Sequence, residues 1–86
     1  MHVTVISPER AVFDGEATSV VAPAYDGLVG ILPRHAPLMT LLGDGVLTVQ
    51  RGSETSRYRV SGGFLQVVGG EGDTVRVVAD SVTDFS

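Results

Sequence analysis

Cysteine, lysine and tryptophan are all absent from this 86-residue chain. Without cysteine there is no disulfide framework and no thiolate metal site. Without lysine there is no phosphate-loop lysine, no Schiff-base lysine and no lysine general base. All six basic residues are arginines, and ten acidic residues outweigh them to give a net charge of −4. That sign is wrong for a surface that tracks phosphates, so nucleic acid is not an expected partner. Only two histidines exist, His2 and His35, and a zinc site built on them would need an improbable carboxylate-rich set. No apolar run approaches the roughly 20 residues that span a bilayer. Residues 1–10 lack the basic start and apolar core of a signal peptide, and direct membrane insertion is not expected.

Catalytic chemistry is equally thin. The carboxylates are scattered from Glu9 to Asp84, mostly beside glycine or at the ends of apolar runs, where acidic residues favour turns. No serine sits in a Gly-x-Ser-x-Gly elbow. Gly69-Gly70-Glu71-Gly72-Asp73 has the look of a phosphate or calcium loop but lacks the lysine and the spaced acidic ligands, and reads as a hairpin turn. No catalytic residue, cofactor or metal is expected.

What the chain does have is β-forming sequence. Short runs rich in valine, isoleucine, leucine and threonine recur over residues 3–6, 11–13, 18–22, 28–32, 38–42, 46–50, 55–61, 64–68 and 74–79. Ser7-Pro8, Asp14-Gly15, Pro23, Pro33, Gly43-Asp44-Gly45, Gly52-Ser53 and Gly62-Gly63 punctuate them. Nine or ten short strands at this spacing, with no sustained helical stripe, point to an all-β single domain of sandwich or small-barrel type. Leu47 and Val49 alternate with Val46, Thr48 and Gln50, and Tyr58 and Val60 with Arg57 and Arg59, so one face of each strand is apolar. The two arginines read as a solvated face, and Phe64 as core. Val75-Arg76-Val77-Val78 is apolar on both sides but for one arginine, and needs cover on both faces. With 43% hydrophobic residues, the composition fits a two-layer core, an apolar docking face, or both.

The most distinctive stretch is Asp26-Gly27-Leu28-Val29-Gly30-Ile31-Leu32-Pro33-Arg34-His35-Ala36-Pro37, a loop, a strand and a second loop shaped by two glycines and two prolines. Around it, in order, lie Ser7-Pro8-Glu9-Arg10, Phe13-Asp14-Gly15-Glu16, the continuation His35-Ala36-Pro37-Leu38, the strand after Gly45, Ser61-Gly62-Gly63-Phe64, and residues 75–80. Together these segments resemble the epsilon subunit of the F-type ATP synthase over nearly the whole chain. The resemblance implies that family's N-terminal domain: two five-stranded antiparallel sheets packed as a flattened sandwich over residues 1–80. It further implies a non-catalytic rotor component that couples the gamma subunit of the central stalk to the membrane c-ring during ATP synthesis, peripheral on the cytoplasmic face of the cell membrane. Carried over by position, Asp26, Gly27, Leu28 and Val29 face the polar loops of the c-ring, and Ser7, His35, Thr40, Ser61 and Gln66 face gamma. Leu28 departs from relatives that place a carboxylate there, which leaves apolar contact or Asp26 to substitute.

The family's C-terminal helical hairpin has no counterpart in residues 81–86, which read as a short tail, so hairpin-type inhibition of hydrolysis is not expected. For His35 two roles stay open: packing within the turn from Pro33 to Pro37 against a neighbouring backbone group, or a place on a contact surface. A small β-sandwich module binding a ligand or peptide is the alternative function. It would need an exposed aromatic platform, and only Phe13, Tyr25, Tyr58, Phe64 and Phe85 could build one.

Overall fold

The computed structural model describes residues 1–69 and 73–84, which form eight strands and no helix. In chain order these are β1 (His2–Ile6), β2 (Ala11–Glu16), β3 (Ser19–Ala24), β4 (Gly27–Ile31), β5 (Leu38–Leu41), β6 (Gly45–Arg51), β7 (Glu54–Val68) and β8 (Thr74–Asp84). Hydrogen bonding joins them in the order β2-β1-β8-β7-β6-β3-β4, with β5 paired to β7. Residues 70–72 of the expected glycine-rich turn lie outside the described residues, as do Phe85 and Ser86.

A single ladder becomes two layers because β7 and β8 are long enough to serve both. The first half of β7 pairs with β6, from Arg51 opposite Glu54 to Gly45 opposite Val60. Its second half pairs with β5 in the same register, Leu41 opposite Phe64 and Leu38 opposite Val67. Along the other edge of β7, β8 runs unshifted from Thr74 opposite Val68 to Asp84 opposite Tyr58. One layer is therefore β4-β3-β6-β7-β8 and the other β5-β7-β8-β1-β2, five strands each. One pairing departs from the antiparallel expectation: β1 lies parallel to β8, His2 opposite Thr74 and Ile6 opposite Val78. These strands come from opposite ends of the chain, and no hairpin dictates their relative direction.

The inward residues mark where the long strands turn. Tyr58 and Val60 are buried, and beyond them so are Leu65 and Val67, so the alternation changes phase between the two pairs. In β8 the same change falls between buried Ala79 and Val82, which packs against the core. Gly62 and Gly63 occupy the corner with φ of 67° and 102°. A Cβ at Gly63 would overlap the carbonyl oxygen of Val78 on the neighbouring strand. Strands that change sheet through such a bend make the corners of crossed β-sandwiches. The expected break at Gly62-Gly63 is thus a corner within one strand. Likewise, the strand expected to end at residue 79 continues through Asp84.

The core between the layers is almost purely aliphatic. Val20, Ala22, Ile31, Leu47 and Val49 come from one side, and Val3, Val5, Leu65, Val67, Val75 and Val77 from the other, each 4% exposed or less. The expected alternation holds: Leu47 and Val49 share the buried face of β6, Tyr58 and Val60 that of β7, and Arg57 and Arg59 lie on the outer face. Phe64 does not belong to this core. The phase change hands the inward place to Leu65 and leaves Phe64 half-buried on the outside.

The corner should dominate stability. Gly63→Ala combines a positive φ with a backbone collision and is expected to cost about 3 kcal/mol or more. Gly52→Ala, at φ 61° in the β6–β7 turn with nothing within 4 Å of a Cβ, should cost only about 1 kcal/mol. Urea unfolding of the two variants beside the parent chain measures both.

Candidate functional site

The β3–β4 hairpin carries the first group of candidates. Its two-residue tip is Tyr25-Asp26, between Ala24 and its partner Gly27. Strand β4 thus begins at Gly27, one residue earlier than expected. Asp26, Gly27 and Leu28 are exposed, Leu28 at 74%. Val29 instead points inward opposite Ala22 and packs against the core, so its side chain anchors the hairpin rather than extending it. The hairpin is tied down close to its tip: the Tyr25 N–H donates to the Leu41 carbonyl at 3.0 Å, and the Gly43 N–H to the Pro23 carbonyl at 2.9 Å.

The second group is spread over several places. Gln66 lies on the outer face of β7, between Met39 on β5 and Arg76 on β8. Thr40 is opposite buried Leu65, on the other face of the same sheet, so Thr40 and Gln66 address different sides. The Ser61 hydroxyl, next to the corner, donates to Asp44 Oδ1 at 2.6 Å. Ser7, only 8% exposed, closes the turn after β1: its hydroxyl donates to the Arg10 carbonyl at 3.1 Å and accepts the Arg10 N–H at 3.3 Å. His35 belongs to the loop between β4 and β5, and its Nδ1–H donates to the Ala36 carbonyl at 2.7 Å. Ser7 follows the Ile6–Val78 end of the second layer, whereas the His35 loop meets Asp73 at the other end. Five residues of strand separate these levels, about 17 Å.

A shallow open groove of about 700 Å³ runs between the hairpin tip and β5, reaching Thr40 alone of the second group. Tyr25 and Asp26 of the hairpin tip line one part, Met39, Thr40 and Leu41 of β5 another, and Phe64 the floor. Tyr25 is 69% exposed, Met39 63% and Leu41 62%. The outer row continues from Leu41 through Phe64 and Val78 to Ile6, side by side on β5, β7, β8 and β1. Val78 is the outward valine of the doubly apolar strand, and it is half-buried there. Residue-type reasoning passed over Met39 and Leu41, and considered Tyr25 only as part of an aromatic platform. The available signal was Leu38-Met39-Thr40-Leu41-Leu42, a short strand with no polar face to turn outward.

Among the described residues no group of three or more histidines and carboxylates stands close enough to hold a metal ion. His2 lies between two carboxylates, Nε2 2.6 Å from Asp14 and Nδ1 3.2 Å from Glu16, but these sit on β2 and tie it to β1. Among the described residues no helix is long and apolar enough to cross a membrane.

Comparison with known proteins finds matches over nearly the whole chain. The family model described as "ATP synthase, Delta/Epsilon chain, beta-sandwich domain" matches residues 1–84. The chain is 42% identical over 80 residues to the ATP synthase epsilon chain of Leptospira borgpetersenii, covering 93% of this chain and 61% of the relative. It is 40% identical over 82 residues to that of Chloroflexus aurantiacus, covering 95% and 57%. To the epsilon chain of Desulforamulus reducens it is 46% identical over 77 residues, covering 90% and 56%. The chain thus spans somewhat under two thirds of the length of these relatives. The fold is similar to a chain of the Euglena gracilis mitochondrial ATP synthase assembly containing F1 and the c-ring, with a TM-score of 0.85 at 21% identity over 95% of this chain and 51% of that one. A chain of the Tetrahymena thermophila central stalk and c-ring assembly gives 0.82 at 18% identity, over 98% and 66%.

The exposed apolar residues of β5 should matter little to folding. Met39→Ser with Leu41→Ser is expected to change the unfolding free energy by no more than about 0.5 kcal/mol per site. Leu65→Ala, one pleat away but fully buried, should cost about 3 kcal/mol. Urea titration of both variants distinguishes surface from core.

Proposed function

The chain belongs to the ATP synthase delta/epsilon β-sandwich family, and from that premise we propose that it is a non-catalytic link of the rotor. In this reading its outer sheet face docks on the gamma subunit and its β3–β4 hairpin rests on the polar loops of the c-ring. It is then held at the cytoplasmic face of the membrane through those partners. The observation that carries the proposal is the uncovered apolar row from the hairpin tip across β5 and β7. A chain with this much aliphatic core has no folding use for exposed Tyr25, Leu28, Met39 and Leu41, and contiguous exposed apolar surface marks interaction sites.

The architecture suits transmission of force. A load at the hairpin tip passes from β4 to β3, then β6, then β7, through ladders whose hydrogen bonds share it side by side. Because β7 and β8 run through both layers, the layers cannot shear past one another without breaking those strands' own backbone geometry. A component that touches two partners at once transmits rotation only if it is stiff between them, and a slight contact would slip. The joint interface is accordingly expected to exceed the roughly 1,000 Å² that marks a specific association.

At the hairpin, Leu28 offers an apolar side chain and Asp26 the charge, so ring contact would rest on packing and on the tip's open backbone groups. On the gamma side, Gln66 is the best-placed of the candidates: half-buried, outward, and central between Met39 and Arg76.

Co-elution of the chain with its cognate gamma subunit on size exclusion tests the docking. A stoichiometric complex is expected, weakened about tenfold or more (~1.4 kcal/mol) by Gln66→Arg. Full binding by the arginine variant would move the gamma surface off this face. Failure of the parent chain to associate at micromolar concentration would favour an independent ligand-binding module.

A further inference from the structure

The loop between β4 and β5 contains Arg34 at φ 67°, the one non-glycine residue with positive φ among those described. The conformation belongs to a local turn, with Pro33 and Arg34 as its central residues and the His35 N–H donating to the Leu32 carbonyl at 3.2 Å. A second tie comes from outside the loop: Asp73, 39 residues further along the chain, whose Oδ2 accepts the Arg34 N–H at 2.7 Å. A carboxylate accepting a backbone N–H is among the stronger kinds of hydrogen bond. The carbonyl of the same Asp73 accepts the His2 N–H at 2.9 Å. One residue therefore ties together the start of β1, the approach to β8 and the loop.

A further contact shows that the loop is seated rather than draped. Gly69 lies so close to Pro37 that a Cβ there would stand 2.9 Å from the proline ring. Within the loop, the His35 N–H donates to the Leu32 carbonyl at 3.2 Å and the imidazole donates to Ala36. His35 thus faces a partner in one shape, set before that partner arrives.

We infer that Asp73 is a positioning residue for the His35 loop: its carboxylate accepts the Arg34 N–H and fastens the turn from Leu32 to His35 to the approach to β8, which fixes where His35 is presented. The inference rests on the proposed reading of the His35 loop as part of the gamma-docking surface. Its physical basis is preorganisation, since a loop already ordered loses less freedom on binding. Asp73 itself touches the partner in no step of this scheme. It acts through the loop's backbone.

Amide exchange by NMR on the isolated chain, paired with affinity for the cognate gamma subunit, tests it. The Arg34 amide should be protected in the parent chain and exchange about tenfold faster or more in Asp73→Ala, while β6 and β7 amides keep their protection. Affinity for gamma should fall about tenfold in the same variant through lost preorganisation. Asp73→Asn retains an acceptor oxygen and should restore both. An unprotected Arg34 amide in the parent chain overturns the inference, as does an alanine variant that frees the amide yet binds gamma at full strength. Should the alanine variant fail to fold, Asp73→Asn decides alone: lost affinity with Arg34 still protected contradicts the positioning role. If the parent chain does not bind gamma at all, the docking reading fails and the inference with it, while the exchange data still report whether the clasp exists.

Discussion

The structure depends on a backbone corner at Gly62-Gly63. A 15-residue strand carries both layers only because the chain can bend there without side chains, with the Val78 carbonyl occupying the space a Cβ would need. Everything inward follows from it. The phase of alternation changes across the bend, so that Tyr58 and Val60 on one side and Leu65 and Val67 on the other converge on one core. Were the strand to run straight, one half would turn its valines and leucines to water, and a domain of this length has little core to spare.

What faces outward follows from the same bend. Phe64 is displaced to the outer surface, beside Leu41 and Val78, and completes the apolar row that leads to the β3–β4 hairpin. Fold and interaction surface are thus consequences of one local geometry. The features that make the domain stiff, long strands shared by both layers, also set its two candidate contact regions at a constant separation. That is the property the proposed role of a mechanical link between two partners requires.

Much of this was legible from residue order. The alternation of Leu47 and Val49 with Thr48 and Gln50, that of Tyr58 and Val60 with Arg57 and Arg59, and the turn at Gly52-Ser53 are local signals that gave strand identity and inward face to within a residue or two. The segments matching the epsilon family gave the two five-stranded layers. Three things were not legible. Gly62-Gly63 reads the same whether it ends a strand or bends one, so Phe64 was assigned to the core. Asp80-Ser81-Val82-Thr83-Asp84 is too polar to announce a strand and is held in one by pairing with β7. The parallel pairing of β1 with β8 joins the two ends of the chain and leaves no local trace. Among site residues, sequence placed Asp26, Leu28 and Gln66 at exposed or outward positions. It could not show that Val29 and Ser7 are turned to internal use, or that Thr40 and Gln66 look to opposite sides.

The central claim is that one stiff domain presents the hairpin tip and the outer sheet face to two different partners. Because the chain has no cysteine of its own, single substitutions Leu28→Cys and Gln66→Cys can each carry a short photoreactive cross-linker within the assembled ATP synthase. The account predicts that the label at residue 28 captures the c subunit and the label at residue 66 captures gamma. Capture of the same subunit from both positions, or of neither partner from either, would contradict it.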